Sequence, residues 1–534
     1  MNVIPGFTSA FYTYNFTLYE LDIDDRNVVY NGILSTQKYG DVEIDFLFDD
    51  DAFISFPHAI IDINSQNKFK PFHFPHLDAS WSLCYHDDSR IFDRYNPKGM
   101  VDFCIENTLN VLNETIEDDM TEILKEFPRY WHKNSTRFYS YIASDDIVAY
   151  NKDNVIVSPI TKFLIKDIDY NSEIPIFKLP NTPSIADIEW PLEKYTSFQA
   201  WVNKSSPETE KQIQKYVKTM ISKKYFKIML IIYLEDVNIY LGLTIEYKHS
   251  NYNLKVKTNL RQETVDSIFR GNHVFHRFTI DNYNAEEIIK SNVLPNSFTL
   301  INKKILLIGA GTIGSNLSNL LVKNGAGIGE EALFTIVDDD KYEPYNYSRH
   351  FLGIKNSGYN KTKALKIELE YAFPFTKIDA IEKPIQDIDI TYYDIIIDST
   401  GEESLTQWLN EKNKTNNLCS LFISPWIRGQ GVAAQCFVQP NNKKACHECF
   451  KKSEHYYLED FSTFPLRNSC NSIFIPFPIT ASMYVVLLVI HVLNKWLGGQ
   501  LTETTFFTQV LNPVGEIKET IIKKSEGCPL CGKD

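Results

Sequence analysis

Residues 304–314 read Lys-Ile-Leu-Leu-Ile-Gly-Ala-Gly-Thr-Ile-Gly, an apolar run that leads into a glycine loop. The apolar run predicts a buried strand, and Ile313–Asn324 is the helix predicted to follow it. Gly309, Gly311 and Gly314 permit a tight turn and a close backbone approach to phosphate, and the helix N-terminus offers free N–H groups to an anion. A nicotinamide-binding fold uses the same glycines, so the loop alone leaves the ligand open.

Strand and helix patterns alternate after this loop, which predicts an α/β fold with a parallel, doubly wound, Rossmann-like sheet. The segments are strands 304–308, 333–337 and 395–397 and helices 313–324 and 359–372.

The first part of the chain has a different pattern, with strands before helices, which predicts a compact α+β domain. The middle part shows a helix after Ser206 and two apolar strands within 225–247, and we interpret it as a linker domain. We therefore predict three domains, namely 1–140, 141–290 and 291–534. A chain of 534 residues is long enough for them, since a domain averages roughly 150 residues.

The charge balance restricts the partners. The chain has 54 Lys and Arg against 68 Asp and Glu, a net charge of −14, which disfavours broad binding to nucleic acid. The N-terminal residues lack the basic start and apolar core of a secretory signal. The longest apolar run, 483–493, is too short to span a bilayer. We expect a soluble cytoplasmic protein that binds neither nucleic acid nor membrane.

Acidic residues end two of the predicted strands. Asp338 and Asp340 follow the second strand, where a carboxylate suits a ribose hydroxyl. Asp398 ends a later strand and is expected at the same crevice, where a carboxylate can hold Mg²⁺ against phosphates.

Basic and amide side chains crowd the segment after the second strand, with Asn346, Arg349 and Lys361 in order. Hydride transfer does not need such a cluster. Adenylation does, because charge builds on the α-phosphate and pyrophosphate must be neutralised. Each residue alone suits a surface or capping role, but the ordered set favours adenylation.

The ordered set resembles the ThiF/MoeB family of adenylating enzymes over roughly residues 285–534. The positions that match the family pattern are Gly309, Gly311, Gly314, Asp338, Asp340, Asn346, Arg349, Gly358, Lys361 and Asp398. By this resemblance Asp338 or Asp340 would hold the ribose of ATP, and Asp398 would hold Mg²⁺. Asn346, Arg349 and Lys361 would bind the phosphates, and Arg349 would also be catalytic. His350 stands where the family often has glutamine, a minor departure.

Four of the nine cysteines form two Cys-x-x-Cys pairs, Cys446/Cys449 and Cys528/Cys531. Four thiolates in two such pairs suit a tetrahedral Zn²⁺ site, and similar pairs occur in the ThiF/MoeB family. The alternative is four free core cysteines. A closed site would brace the C-terminus and take no part in catalysis. His447, inside the first pair, is interpreted as a bystander.

Cys470 lies between the two cysteine pairs and before an apolar helix. A lone cysteine is more often a small buried hydrophobe than a nucleophile. In the ThiF/MoeB family, however, the thioester-forming cysteine occupies this region, so the resemblance implies that Cys470 is catalytic.

The N-terminal domain holds a second candidate nucleophile. Cys84 comes eight residues after His76 in Phe74-Pro75-His76, and the stretch resembles a ubiquitin-conjugating domain over about residues 1–135. That resemblance implies that Cys84 is the conjugating cysteine. The family has Asn where this chain has His76, but an imidazole N–H can also stabilise an oxyanion. Without the resemblance, the alternative of a structural Cys84 in a hydrophobic strand stays open. Cys104, on an apolar helix pattern, is predicted to be core.

An activating and a conjugating module on one chain resemble the fused ubiquitin-transfer enzymes of bacterial CBASS anti-phage operons. The resemblance implies ATP-dependent adenylation of a protein C-terminus, that of a cGAS-like nucleotidyltransferase or a ubiquitin-like protein. A thioester relay from Cys470 to Cys84 and transfer to a target lysine would follow. Related adenylating enzymes are homodimers, so we expect one here.

Three alternatives remain open at this stage. A sulfur-carrier adenylyltransferase would use the C-terminal half but would not need residues 1–140. An NAD-dependent oxidoreductase would explain the glycines but not Arg349, Lys361 and the cysteine pairs. A non-catalytic scaffold would tolerate the change to His76.

Overall fold

The computed structural model describes residues 3–531 apart from several internal stretches. The stretches not described are 22–26, 50–51, 72, 79, 87–90, 118, 132–136, 142–147, 153–154, 158–172, 186–187, 189, 191, 224, 248–272, 283–284, 295–296 and 457–475. The chain divides into two compact units, Met1–Tyr283 and Asn284–Asp534.

The first unit begins with a five-stranded antiparallel sheet in the spatial order β1-β2-β3-β4-β5. The elements are α1 (Val3–Tyr12), β1 (Thr17–Leu21), β2 (Val28–Thr36), β3 (Gly40–Phe48), β4 (His58–Ile61), β5 (Ser82–Leu83) and α2 (Pro97–Glu114). Alternate residues of β2 and β3 are buried, as expected for a sheet with one face on a core. Asn96 caps α2 by accepting a hydrogen bond from the Gly99 N–H (3.1 Å).

The rest of the first unit is a closed seven-stranded barrel in the order β10-β11-β12-β6-β8-β7-β9. The elements are α3 (Met120–Trp131), β6 (Arg137–Tyr141), β7 (Val148–Lys152), β8 (Val155–Val157), β9 (Glu173–Leu179), α4 (Tyr195–Ser205), α5 (Pro207–Ser222), β10 (Lys227–Leu234), β11 (Ile239–Tyr247) and β12 (His273–Asn282). The predicted helix after Ser206 is confirmed as α5, with Ser206 as its N-cap. The two predicted apolar strands are confirmed as β10 and β11.

Helix α3 packs with the barrel, although the sequence grouped it with residues 1–140. Ile123, Phe127 and Trp131 are fully buried in the barrel core. The Trp131 indole N–H donates to the Gly242 carbonyl oxygen (3.0 Å). The apolar face of this helix is therefore covered by β11 and β12, and not by the first sheet.

The second unit is built on an eight-stranded sheet in the order β15-β14-β13-β16-β17-β18-β19-β20. The elements are α6 (Ala285–Ser291), β13 (Lys304–Ile308), α7 (Thr312–Lys323), β14 (Leu333–Val337), α8 (Lys361–Ala372), β15 (Ile378–Ile381), β16 (Tyr393–Asp398), α9 (Glu403–Asn416), β17 (Cys419–Arg428), β18 (Ala433–Gln439), α10 (His447–Lys451), α11 (Ile479–Leu497), β19 (Thr505–Leu511) and β20 (Val514–Ile521).

This sheet is mixed. The strands from β15 to β17 are parallel, which confirms the predicted α/β fold. The prediction of a wholly parallel sheet is wrong, because β17 to β20 pair antiparallel. Only residues 429–432 separate β17 from β18, and a parallel crossover needs about a dozen residues or more.

Strand register places the candidate site. Ile308, the last residue of β13, pairs with Val337 on one side and with Asp398 on the other. The residues that follow β13, β14 and β16 therefore meet at one edge of the sheet. The chain order reverses at β13, and ligands of open α/β sheets bind at such a point.

Helix α11 is the one helix in the described part of the chain that is long and apolar enough to cross a membrane. Val485, Val489 and Val492 on this helix are fully buried in the core of the eight-stranded sheet. The helix thus packs as a core element of the second unit.

Candidate functional site

The glycine loop links β13 to α7, and two of its glycines are required by the fold. Gly309 has φ +87°, and a Cβ there would lie 3.0 Å from the Thr400 backbone nitrogen. A Cβ at Gly314 would lie 1.9 Å from the Gly309 carbonyl oxygen. A Cβ at Gly311 would meet nothing within 4 Å among the described residues, so the space above this residue is open at the N-terminus of α7.

Asp338 holds the glycine loop from the end of β14. One carboxylate oxygen accepts from the Ala310 N–H (2.6 Å) and the other from the Asp340 N–H (2.8 Å). Burial raises the pKa of Asp338, and the nearby Lys361 ammonium and these two N–H groups oppose that rise.

Lys361, predicted as a phosphate-binding residue, lies close to the carboxylates of both Asp338 and Asp340. Its Nζ lies 2.6 Å from Asp340 Oδ2 and 4.0 Å from Asp338 Oδ1. The Lys361 side chain is 11% exposed, whereas that of Asp340 is 71% exposed. The Lys361 ammonium is therefore largely buried near the glycine loop and is ion-paired with these carboxylates.

Asn360 supports this arrangement, and the sequence reasoning missed it. Its side-chain NH₂ donates to the carbonyl oxygens of Asp338 and Asp340 (3.1 Å each). Its side-chain oxygen accepts from the N–H of Thr362 and caps α8. The available signal was an asparagine, a preferred N-cap residue, in the first turn of the helix predicted over 359–372, which begins at Lys361 in the structure.

His350 fastens the loop from a third side. Its Nε2–H donates to the Ala310 carbonyl oxygen (2.7 Å), and its Nδ1 accepts from the Leu352 N–H (3.0 Å). The residue is 8% exposed, and burial lowers its pKa to about 4, so the ring is neutral. From the sequence alone, His350 is a minor departure from the family pattern, but in the structure its side chain makes a buried hydrogen bond to the glycine loop.

Arg349 and Asn346 lie on the segment after β14, and their contacts differ from those of Lys361. The Arg349 guanidinium carbon lies 4.6 Å from the centre of the Phe477 ring, a cation–π contact. The Asn346 side-chain oxygen accepts from the Glu343 N–H (2.9 Å). The Asn316 side chain donates to the Arg349 carbonyl oxygen (2.9 Å), which ties this segment to α7.

Asp398 is fully buried at the end of β16. One carboxylate oxygen accepts from the Thr400 hydroxyl (2.6 Å) and N–H (3.2 Å), and the other accepts from the Thr406 hydroxyl (2.5 Å). Burial raises the pKa of Asp398, and these hydrogen bonds oppose the rise. A carboxylate has about four lone-pair sites, so the three bonds leave capacity for a metal ion.

A pocket of about 470 Å³ adjoins the glycine loop. Its polar part includes Gly311, Thr312 and Thr400. The aromatic and imidazole side chains that line it are Trp426, His447, Phe450, His455, Tyr456, Phe477 and Phe506. A volume in the range of roughly 300–1,000 Å³ is typical of small-ligand sites.

The two cysteine pairs come together. The Sγ atoms of Cys446, Cys449, Cys528 and Cys531 all lie within 4.8 Å of one another, and all four residues are buried. Sγ of Cys446 is 3.7 Å from that of Cys449 and 3.4 Å from that of Cys528. A Zn–S bond of about 2.3 Å in a tetrahedron separates sulfurs by roughly 3.8 Å, so the set fits zinc. Burial raises the pKa of Cys446, so its thiolate needs a cation beside it.

His447 lies on the pocket wall, next to the cysteine cluster. Its backbone N–H donates to the Asn410 side chain (2.9 Å), and its ring contacts Phe437 and Phe450. It is not one of the four clustered metal-ligand candidates.

Cys84 is exposed, directly after β5. Its N–H donates to the His76 carbonyl oxygen (2.8 Å), so the fold brings together the two residues that the sequence paired. The Asp78 carboxylate accepts from the N–H groups of Ser80 and Ser82 and closes the loop between them. Cys104, predicted to be a core residue, is confirmed as buried, and Cys419 and Cys436 are buried as well. Cys470 lies outside the described residues.

Two family profiles match the chain, in the order of its predicted modules. Residues 10–139 match Prokaryotic E2 family B, and residues 293–530 match the ThiF family. The chain is thus a fusion of an E2-type and a ThiF-type domain, the composition of an activating and conjugating enzyme.

Named relatives are similar to the chain over most of its length. The chain is 27% identical over 491 residues to the ATP-dependent ubiquitin transferase-like protein Cap2 of Pseudomonas aeruginosa, covering 86% of each chain. It is 25% identical to the Escherichia coli protein of the same name, covering 97% of each. The chain is therefore a homologue of the Cap2 ATP-dependent ubiquitin transferase-like enzymes. A crystal structure of E. coli MccB with ATP aligns at 22% identity and TM-score 0.36, covering 44% of this chain and 68% of that one.

Proposed function

We propose that the second unit adenylates the C-terminal carboxylate of a protein tail, and that the acyl group then passes through two cysteines to a lysine. The observation that carries the proposal is the meeting of Asp338, Asp340 and Lys361 against the glycine loop, which also forms part of the wall of the pocket. An acidic pair for the ribose and a buried cation for phosphate are what an adenylating site requires.

The reaction proceeds in four steps. A carboxylate oxygen of the tail attacks the α-phosphorus of ATP, an acyl–phosphate bond forms, and the bond to pyrophosphate breaks. The Cys470 thiol loses its proton to solvent, and the thiolate attacks the acyl carbon, forms a thioester and releases AMP. The Cys84 thiolate takes the acyl group by thioester exchange, which is nearly isoenergetic. A lysine amine then forms an amide and frees the Cys84 thiol.

Chain residues prepare each step. Asp338 or Asp340 holds the ribose, and Asn346, Arg349 and Lys361 bind the phosphates. His350 and Asp338 keep the glycine loop in place from two sides. At Cys84, the imidazole N–H of His76 donates a hydrogen bond to the oxyanion that forms in the conjugating step.

Two metal ions fit the residues present. Asp398 would hold Mg²⁺, which offsets phosphate charge when it is bound with ATP. The four clustered cysteines would hold Zn²⁺ in a closed site. The buried amide network Asn410–Gln439 connects this cluster to α9, the helix that carries Thr406.

We assign the chain to the cytoplasm and to anti-phage defence of the CBASS type, as a homodimer whose acyl partner is a cGAS-like nucleotidyltransferase. A ubiquitin-like protein is the alternative partner. A sulfur-carrier adenylyltransferase is disfavoured, because the E2-type domain would then have no role.

The test uses the full chain with ATP, Mg²⁺ and a purified cGAS-like nucleotidyltransferase on non-reducing gels. The wild type is expected to form a thiol-sensitive adduct that Cys470→Ala abolishes. Cys84→Ala should retain the adduct on Cys470 but form no lysine conjugate. ATP–pyrophosphate exchange should be lost in Asp398→Ala and retained in Cys470→Ala. If the wild type forms no adduct, the relay is wrong, and if the adduct survives Cys470→Ala, the cysteine assignment is wrong.

A further inference from the structure

The pocket beside the glycine loop has a continuous aromatic wall, made of Trp426, Phe450 and Phe506. The Trp426 and Phe506 rings are stacked with centroids 5.9 Å apart, and Phe450 lies 4.8 Å from Phe506. The Trp426 indole N–H donates to the Gln435 side chain (2.8 Å), which fixes the ring orientation. This part of the pocket is therefore a preformed apolar surface.

One buried polar atom on the pocket wall has no partner within the described part of the chain. His447 is 4% exposed, lines the pocket, and its Nδ1 makes no hydrogen bond there. Leaving such an atom unpaired in the interior is unfavourable, so a native structure usually supplies a partner from a ligand or water. His447 thus places a polar atom that is unpaired among the described residues beside the aromatic wall, and the other polar side chains of the pocket include Thr406, Ser424 and Gln435.

From this combination we infer that the pocket selects tails with a bulky apolar or aromatic side chain one or two residues before the C-terminus. That side chain packs on the aromatic wall, and a backbone amide of the tail hydrogen-bonds to His447 Nδ1. The inference rests on the proposed adenylation, because the acyl carbon must reach the glycine loop that forms another part of the same pocket.

Two other occupants fit less well. A tail ending in consecutive glycines has no side chain to cover the aromatic wall, so the apolar surface would stay in contact with water. The adenine of ATP could stack on Trp426, but Asp338 and Asp340, the residues assigned to the ribose, do not line this pocket.

The test measures ATP–pyrophosphate exchange by the full chain with synthetic octapeptides that end in Gly. The two residues before the terminal Gly are Gly-Gly, Phe-Gly, Gly-Phe, Leu-Gly or Gly-Leu. We expect kcat/KM to be at least about tenfold higher for the best Phe or Leu peptide than for the Gly-Gly peptide. Trp426→Ala should abolish this preference, whereas Trp408→Ala, a matched change outside the pocket, should keep it.

His447 is tested as a positioning residue. His447→Leu should raise KM for the preferred peptide about tenfold. His447→Asn keeps a polar atom near the Nδ1 position, so its KM for this peptide should lie close to the wild-type value. Zinc content, measured by mass spectrometry, should be equal in both variants.

Each outcome decides between the claims. Equal or better exchange with the Gly-Gly peptide overturns the selectivity and leaves adenylation standing. If Trp426→Ala changes KM for ATP and leaves the peptide preference intact, the aromatic wall binds adenine, and the inferred selectivity for apolar tails is overturned. If no peptide supports exchange, while the intact partner protein does not either, the proposed adenylation and this inference both fail.

Discussion

Replacing His350 with glutamine separates the hydrogen bonds of a buried imidazole from its charge. In the wild type, Nε2–H donates to Ala310 and Nδ1 accepts from Leu352. A glutamine amide has both a donor and an acceptor and can replace these bonds, but it does not titrate. The neutral-pH stability of the glycine loop should therefore change by less than about 1 kcal/mol in His350→Gln.

The pH dependence should differ between the two proteins. Burial lowers the pKa of His350 from 6.5 to about 4. When the glycine loop opens locally, the His350 ring regains its ordinary pKa of 6.5, so the open state binds a proton more readily than the closed state between pH 6.5 and pH 4. The stability of the closed loop is therefore fully present above pH 6.5 and is lost as the pH falls toward 4. Integrating the proton uptake from pH 8 to pH 5 gives a loss of about 2 kcal/mol in the wild type that His350→Gln should not show.

Hydrogen–deuterium exchange of the full chain, read on peptides that cover 305–318, measures this local opening. At each pH the two proteins share the same intrinsic exchange rates, so their ratio isolates the imidazole. We expect the wild-type exchange, relative to His350→Gln, to rise about 30-fold from pH 8 to pH 5. A constant ratio would refute the reasoning, since His350 would then carry no linked proton.

Three further predictions concern other parts of the second unit. Lys361→Ala should lower kcat/KM for ATP–pyrophosphate exchange by about 100-fold or more, because it removes the buried cation near the proposed phosphate site. The control is Lys363→Ala, whose side chain is 65% exposed, and it should change this kcat/KM by less than about twofold. Cys528→Ser should reduce bound zinc well below one ion per chain by mass spectrometry, with Cys419→Ser as a buried control outside the cluster; full zinc in Cys528→Ser would contradict the four-thiolate site. Met483 and Leu487, one helical turn apart on α11, are 38% and 56% exposed and form an apolar stripe that the proposed homodimer would bury. Leu487→Lys should therefore convert the dimer to monomer in sedimentation velocity, and an unchanged dimer would place the interface elsewhere.

Local patterns in the sequence were enough for much of this site. An apolar run followed by spaced glycines defines a strand, a tight turn and a helix N-terminus, because these depend on neighbouring residues. The carboxyl edge then follows from topology, since parallel strands end on the same side. The two Cys-x-x-Cys pairs likewise need only their spacing to predict a cluster, and the fold brings them within 4.8 Å.

Other features exist only once distant segments pack. His350 hydrogen-bonds to the glycine loop because the fold brings it against Ala310, which lies forty residues earlier in the chain. His447 lies on a pocket wall because β17, α10 and β19 bring Trp426, Phe450 and Phe506 together. Helix α3 joins the barrel because its apolar face meets β11 and β12, and its own periodicity does not name that partner. These contacts depend on long-range packing and burial, which no local pattern encodes.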